Sequence, residues 1–157
     1  LSTSDKEKIK KSVLDLIYYD YILYRSFSEK KIRKKMESSF DKFILCFSKK
    51  FKINLSLMST ISCKQKDLNL VLFLKFLDKL NIFELVVFYK LSKLTGSIIL
   101  SFFFIKEEID DLYLFELCNI ENNFQQKIWG KTSEQNKVDK HFLDSLKNIS
   151  IFVKNVG

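Results

Sequence analysis

"FELVVFYKLSKLTGSIILSFFF", residues 83–104, decides how this chain folds. Its polar interruptions are chiefly Glu84, Lys90, Ser92, Lys93 and the triplet Thr95-Gly96-Ser97, so a helix drawn through it is apolar on nearly every side. Such a helix belongs at the centre of a packed domain. A transmembrane reading fails on length, because the apolar run 97–105 is bounded by Lys93 and by "KEE" at 106–108, and a span needs about 20 apolar residues. Gly96 costs about 1 kcal/mol of helix propensity, and its expected use is the close approach of a neighbouring helix.

The rest of the chain supports a helical class. Its 157 residues suit one domain, and 46% hydrophobic content with 16 Phe can fill a core. Pro is absent and Gly stands only at 96, 130 and 157, so the turn punctuation of sandwiches and barrels is missing. The expected architecture is a single mainly α domain over 1–157, with five to seven packed helices and a minor two-stranded β element.

Outward from the central segment, Ser4 with Glu7 reads as a capping box opening an amphipathic helix on Ile9, Val13 and Ile17. "YILYRSF", 21–27, is aromatic and β-branched and reads as a first strand; "INLSLMS", 53–59, alternates and reads as its partner. Between them a helix from Ser28 to about Lys50 carries the stripe Ile32, Met36, Phe40, Phe43, Phe47, Phe51, with "KKIRKK" on its outer face. Asp67 is expected to cap a third helix reaching about Leu80, and Asn81 the next. "EEIDD", 107–111, places four carboxylates where a helix dipole favours them. From Tyr113 the stripe Leu117, Ile120, Phe124, Ile128 faces the core until Gly130 stops the helix. A last helix starts near Ser133 on Val138, Phe142, Leu146 and Ile149, fraying in "VKNVG".

The formal charge of +8 is uneven: residues 1–66 carry 16 Lys/Arg against 7 Asp/Glu, the remainder 11 against 12. A basic half can attract nucleic acid or an anionic membrane surface, but the heavy use of Lys, Ile, Phe and Asn together reads as a compositional bias that raises Lys by itself, and a solvated basic surface is the expectation. Cys46, Cys63 and Cys118 lie far apart with one His in the chain, so neither a disulfide framework nor a zinc site is expected, and the setting is a reducing one. Three isolated glycines exclude the glycine-rich phosphate loops. His141 in "KHFLDSL" lies next to a core phenylalanine and far in sequence from any cysteine, so it reads as a surface or partly buried helical His, and no enzyme, cofactor or metal is expected.

One stretch concentrates rare residues. In "IENNFQQKIWG", 120–130, helical spacing sets Glu121, Gln125 and Trp129 in a ridge beside the core stripe Ile120, Phe124, Ile128. By spacing alone, Trp129 either closes the core with polar neighbours satisfying its indole, or the ridge recognises a partner.

The ordered set "YYDYILYRSF", "LTGSIILSFFF" and "LFELCNIENNFQQKIWG" resembles the assembly chaperones for the α subunit of the F-type ATP synthase catalytic head. That family carries a Gly-Ser pair in an apolar helix followed by "LE-x-x-[YF]-Q-x-x-x-WG", matched here by Gly96, Ser97, Ile120, Glu121, Phe124, Gln125, Trp129 and Gly130. Its "D-x-L-x-YR" segment is matched by Asp20, Ile22, Tyr24 and Arg25. Asn122 and Asn123 stand where the family often has a second acidic residue. The resemblance implies a monomeric chaperone, in bacterial cytoplasm or mitochondrial matrix, that binds the unassembled α subunit and needs no ATP. Glu121 and Gln125 would contact the partner, and Phe124, Trp129, Gly130, Gly96, Ser97, Asp20, Tyr24 and Arg25 would support them. It also implies that the chain corresponds to the family's C-terminal helical domain and begins about where an N-terminal β-rich domain would end. The competing expectation is a basic helical domain that binds nucleic acid or an anionic membrane.

Overall fold

The computed structural model describes residues 3–25, 29–59, 65, 67–120, 130 and 133–156. Among them are seven α-helices: α1 (Thr3–Ile17), α2 (Lys30–Phe51), α3 (Val71–Lys79), α4 (Ile82–Thr95), α5 (Ile98–Ile105), α6 (Asp111–Cys118) and α7 (Ser133–Val156). A 3-10 turn, Tyr21–Leu23, links α1 to α2. α1, α5 and α7 pack around α4; α2 lies against α5, α3 and the 3-10 turn; α6 bridges α5 and α7. No helix among the described residues is long and apolar enough to cross a membrane.

The core grows from the periodicities. α2 buries Ile32, Met36, Phe40, Phe47 and Phe51, with Phe43 packed at the edge of the same stripe. Phe47, Phe51, Phe73 and Phe102 meet edge-on or tilted at centroid separations of 4.9 to 5.7 Å, the arrangement the ring quadrupole favours. α1 is tied to α3 by Lys10, whose ammonium lies 2.5 Å from Asp78 and 2.6 Å from Glu7.

Several expectations are corrected. The central run is two helices, α4 and α5, because Gly96 adopts φ 74 as the left-handed C-cap of one and Ser97 caps the other, its side chain accepting from Leu100 N–H. Gly96 is therefore a break, and the nearest atom to an added Cβ would be Tyr21 Cβ at 3.4 Å. Among the described residues the two-stranded β element is not seen. Residues 21–23 instead wind into the 3-10 turn because the Asp20 side chain accepts from Ile22 N–H, and the two segments meet in one parallel bridge, Tyr24 to Met58. A local side-chain hydrogen bond here outweighs β propensity.

Helix boundaries shift as well. α1 already includes Ser4, which is thus not its N-cap. α2 starts at Lys30 after Glu29. Asp67 sits at φ 52 and caps nothing; α3 begins after Leu70. The expected cap at Asn81 is present as a full capping box with Glu84. Of the four carboxylates at 107–111, only Asp110 (the N-cap) and Asp111 serve the α6 terminus, while Glu107 takes φ 60 in the preceding turn. Val138 is 60% exposed and does not join the α7 stripe, which buries Leu146.

Candidate functional site

Asp20 follows α1 at a point where the chain must turn back over α5. Its carboxylate is 1% exposed. One oxygen accepts from Ile22 N–H at 3.1 Å, and the other from Ile99 N–H at 3.0 Å, 79 residues away. It thus occupies the positive end of α5 together with the Ser97 hydroxyl, which accepts from Leu100 N–H at 3.1 Å. Tyr21 N–H donates to the Gly96 carbonyl at 2.8 Å, so the break between α4 and α5 is stitched to the Asp20 turn from both sides. Below it the Thr95 hydroxyl lies 2.9 Å from the Leu91 carbonyl and 3.1 Å from the Ser101 hydroxyl, and accepts from Ser97 N–H at 3.2 Å.

Burial pushes the Asp20 carboxyl up to about 6, against hydrogen bonds from Ile99, Ser97, Ile22 and Ile98 that favour its charged form. A carboxylate so enclosed organises backbone and has no access to a substrate. The structure therefore brings Asp20, Gly96 and Ser97 into one cluster that positions α5.

Tyr24 and Arg25 form the adjoining strap. Arg25 N–H donates to the Met58 carbonyl and Met58 N–H to the Leu23 carbonyl, both at 2.8 Å. The guanidinium reaches Asp41 Oδ1 of α2 at 2.7 Å, the Tyr24 carbonyl at 3.2 Å and the Ile22 carbonyl, and stacks over Phe40 with 5.8 Å to the ring centroid. Arg suits this place because its planar fork bonds several acceptors while its face covers a ring.

α6 follows α5 in the chain and leads toward residues 120–130. Burial pushes the Cys118 thiol up to about 12, with the Asp20 charge adding to the rise. The Asn119 amide donates to the Phe115 carbonyl at 2.7 Å, and Ile120 is buried. Glu121, Phe124, Gln125 and Trp129 lie outside the described residues. Gly130 is exposed at φ 84, with open space where a Cβ would stand. The described residues thus place Asp20, Tyr24, Arg25, Gly96, Ser97 and Gly130 of the motif set.

Sequence reasoning missed that Asp20 and Ser97 share one helix terminus. The readable signal was "TGS" before an apolar run: a left-handed residue followed by an N-cap. Asp41 as the partner of Arg25 had no sequence signal, since the pair is 16 residues apart across two elements. Two shallow clefts flank the turn between α5 and α6. One is lined by Lys42, Phe43, Glu108 and Tyr113, the other by Phe104, Glu107, Asp111 and Ser150.

Comparison with known proteins found no matching family model and no matching curated sequence. Solved structures do match. A candidate chaperone from Agrobacterium tumefaciens, Atu1473, superposes with TM-score 0.86 at 16% identity, over 99% of this chain and 59% of its own length. Atp12 from Paracoccus denitrificans gives TM-score 0.82 at 20% identity, over 97% of this chain and 66% of that one. A D202K mutant of the same Atp12 gives 0.81 at 22% identity, over 94% and 64%. This chain therefore has the fold found in part of those proteins, spanning about three fifths to two thirds of their length.

Proposed function

We propose that this chain is an assembly chaperone domain for the F-type ATP synthase, binding the unassembled α subunit until its partner subunit replaces it. The carrying observation is that motifs resembling those of the chaperone family occur, in the same order, in a chain whose described residues share the fold of Atp12 at TM-scores of 0.81 and 0.82. Fold or motif alone would say less, because one fold hosts many functions. A subunit built for a large obligate interface exposes apolar surface before assembly and aggregates, so a binding surface is the only chemistry the task requires. The solved structures with this fold are named as an Atp12 and a candidate chaperone, which accords with a binding protein acting without catalysis. The corresponding location is bacterial cytoplasm or mitochondrial matrix.

Within this reading Glu121 and Gln125 contact the partner, and Trp129 and Gly130 hold the ridge in place. Coexpression with the α subunit, without β, tests it. The chain should keep α soluble and copurify with it. Glu121→Lys should weaken copurification while stability stays within about 0.5 kcal/mol of wild type, the usual size of a surface substitution's effect. Insoluble α in the presence of wild-type chain would sink the reading.

A further inference from the structure

Helix α2 carries a second surface that the chaperone reading does not use. Its span Lys30–Phe51 holds 8 Lys/Arg and 2 Asp/Glu, and the apolar stripe of the same helix is fully committed to the core. Lys31, Lys35, Lys42 and Lys49 follow at intervals of four and seven residues and are all exposed. At 3.6 residues per turn they form a single row, about 27 Å long at 1.5 Å per residue. Lys30 and Lys34 flank its start. Asp41, one of the two acidic residues, is engaged by Arg25 at 2.7 Å. Lys42 leans off the row toward α6, with its ammonium 3.0 Å from the Tyr113 hydroxyl. Lysine-rich composition does not account for the pattern, because residues 67–157 carry fewer basic than acidic residues.

What lies in the row beside lysine identifies the partner. Leu45, 56% exposed, falls between Lys42 and Lys49 on the same face, and Cys46 is exposed next to it. The face has no aromatic side chain to stack on a base and no Asn or Gln to read one. Flexible point charges around an exposed leucine fit a plane of phosphate headgroups over an apolar layer, where lysines extend to the phosphates and leucine enters the boundary. We propose that the outer face of α2 is a peripheral docking surface for anionic lipid bilayers, with Lys31, Lys35 and Lys49 supplying the attraction and Leu45 a shallow apolar contact.

Cosedimentation of the whole chain with phosphatidylcholine vesicles, alone or with roughly a third phosphatidylglycerol, reads the interaction directly. Binding is expected only to the anionic vesicles at about 50 mM salt, and to fall steeply by about 200 mM as the charges are screened. Each lysine near an anionic surface is worth about fivefold in partitioning, so Lys31→Glu/Lys35→Glu/Lys49→Glu should lower it by at least about a hundredfold. Leu45→Ser should lower it a few-fold with the salt dependence unchanged. Lys75→Glu/Lys79→Glu/Lys90→Glu, an equal change in net charge on α3 and α4, should retain most binding. If the α2 triple variant fails to fold, single Lys31→Gln, Lys35→Gln and Lys49→Gln substitutions should each show the fivefold loss. The proposal is overturned if anionic vesicles do not bind at low salt, if the α3–α4 control loses as much as the α2 variant, or if duplex DNA is bound more tightly than the vesicles. The chaperone assay in solution has no lipid, so its result is independent of this one.

Discussion

Helices α4 and α7 divide the work of the fold between them. α4 is enclosed by α1, α5 and α7. It buries Leu85, Phe88, Leu91, Ser92 and Thr95, and both of its ends are satisfied, one by the Asn81–Glu84 capping box and the other by Gly96. α7 is 24 residues long and touches the core along one side only. It buries Leu146 but leaves Val138, Ile151 and Phe152 open to solvent. Stability is concentrated where apolar contact and backbone hydrogen bonds are both complete. The outer helix has surface to spare for other uses.

The comparison breaks most visibly on aromatic truncation. Phe88→Ala on α4 should cost about 3–5 kcal/mol, whereas Phe152→Ala on α7 should cost less than about 1. Equal shifts in denaturant midpoint would show that α7 is as deeply committed to the core as α4.

Next in size is the pin between the Asp20 turn and α5. Asp20→Ala strips two buried N–H groups, those of Ile22 and Ile99, of their acceptor and should cost about 2–5 kcal/mol. The same carboxyl gives a pH signature. Its pKa rises from 3.8 unfolded to about 6 folded, so the native state holds the proton more tightly. Its contribution is fully favourable below the unfolded value and is lost as pH rises through about 6, a change on the order of 3 kcal/mol. Urea unfolding of wild type and Asp20→Asn between pH 4 and 7 should show the wild-type advantage shrinking as pH rises through that window. A difference that is flat with pH would mean the carboxylate is charged throughout.

Smaller effects are expected at the two glycines with positive φ, Gly96 and Gly130. Gly96→Ala and Gly130→Ala both force alanine to positive φ and should each cost about 1–2 kcal/mol. The Tyr21 contact at 3.4 Å is ordinary packing, so it adds little to the first. A much larger cost at Gly96 would show that the stitch to Tyr21 is under tension. Least disruptive is thiol labelling in a Cys63→Ser background. Exposed Cys46 should alkylate at least about tenfold faster at pH 8 than Cys118, whose thiol is held up to about 12. Similar rates would place the end of α6 in the open.

Legibility in the sequence followed the range of the interaction. The α2 stripe and the Asn81 cap could be read because each depends on residues within a few turns. The break at Gly96 was obscured by an apolar run continuing on both sides, where periodicity has no contrast to report. "YILYRSF" was misread as a strand because aromatic and β-branched content outweighed the single carboxylate before it. Val138 was assigned to the stripe of the last helix but is 60% exposed. The candidate ridge Glu121, Gln125 and Trp129 was legible only as a pattern, and Asp20, Gly96 and Ser97 were legible only as separate motif members, not as one cluster.

The sequence by itself determined that the chain is mainly helical, where α2 buries its face, and that basic charge gathers in the first half. These follow from local periodicity and composition. The three-dimensional arrangement alone shows that α4 and α5 are separate helices, that Asp20 caps a helix 79 residues away, and that the α2 lysines line one exposed face with Lys42 drawn toward Tyr113. Each of those depends on which surfaces other elements cover and on where buried backbone groups find partners, and neither is written in neighbouring residues.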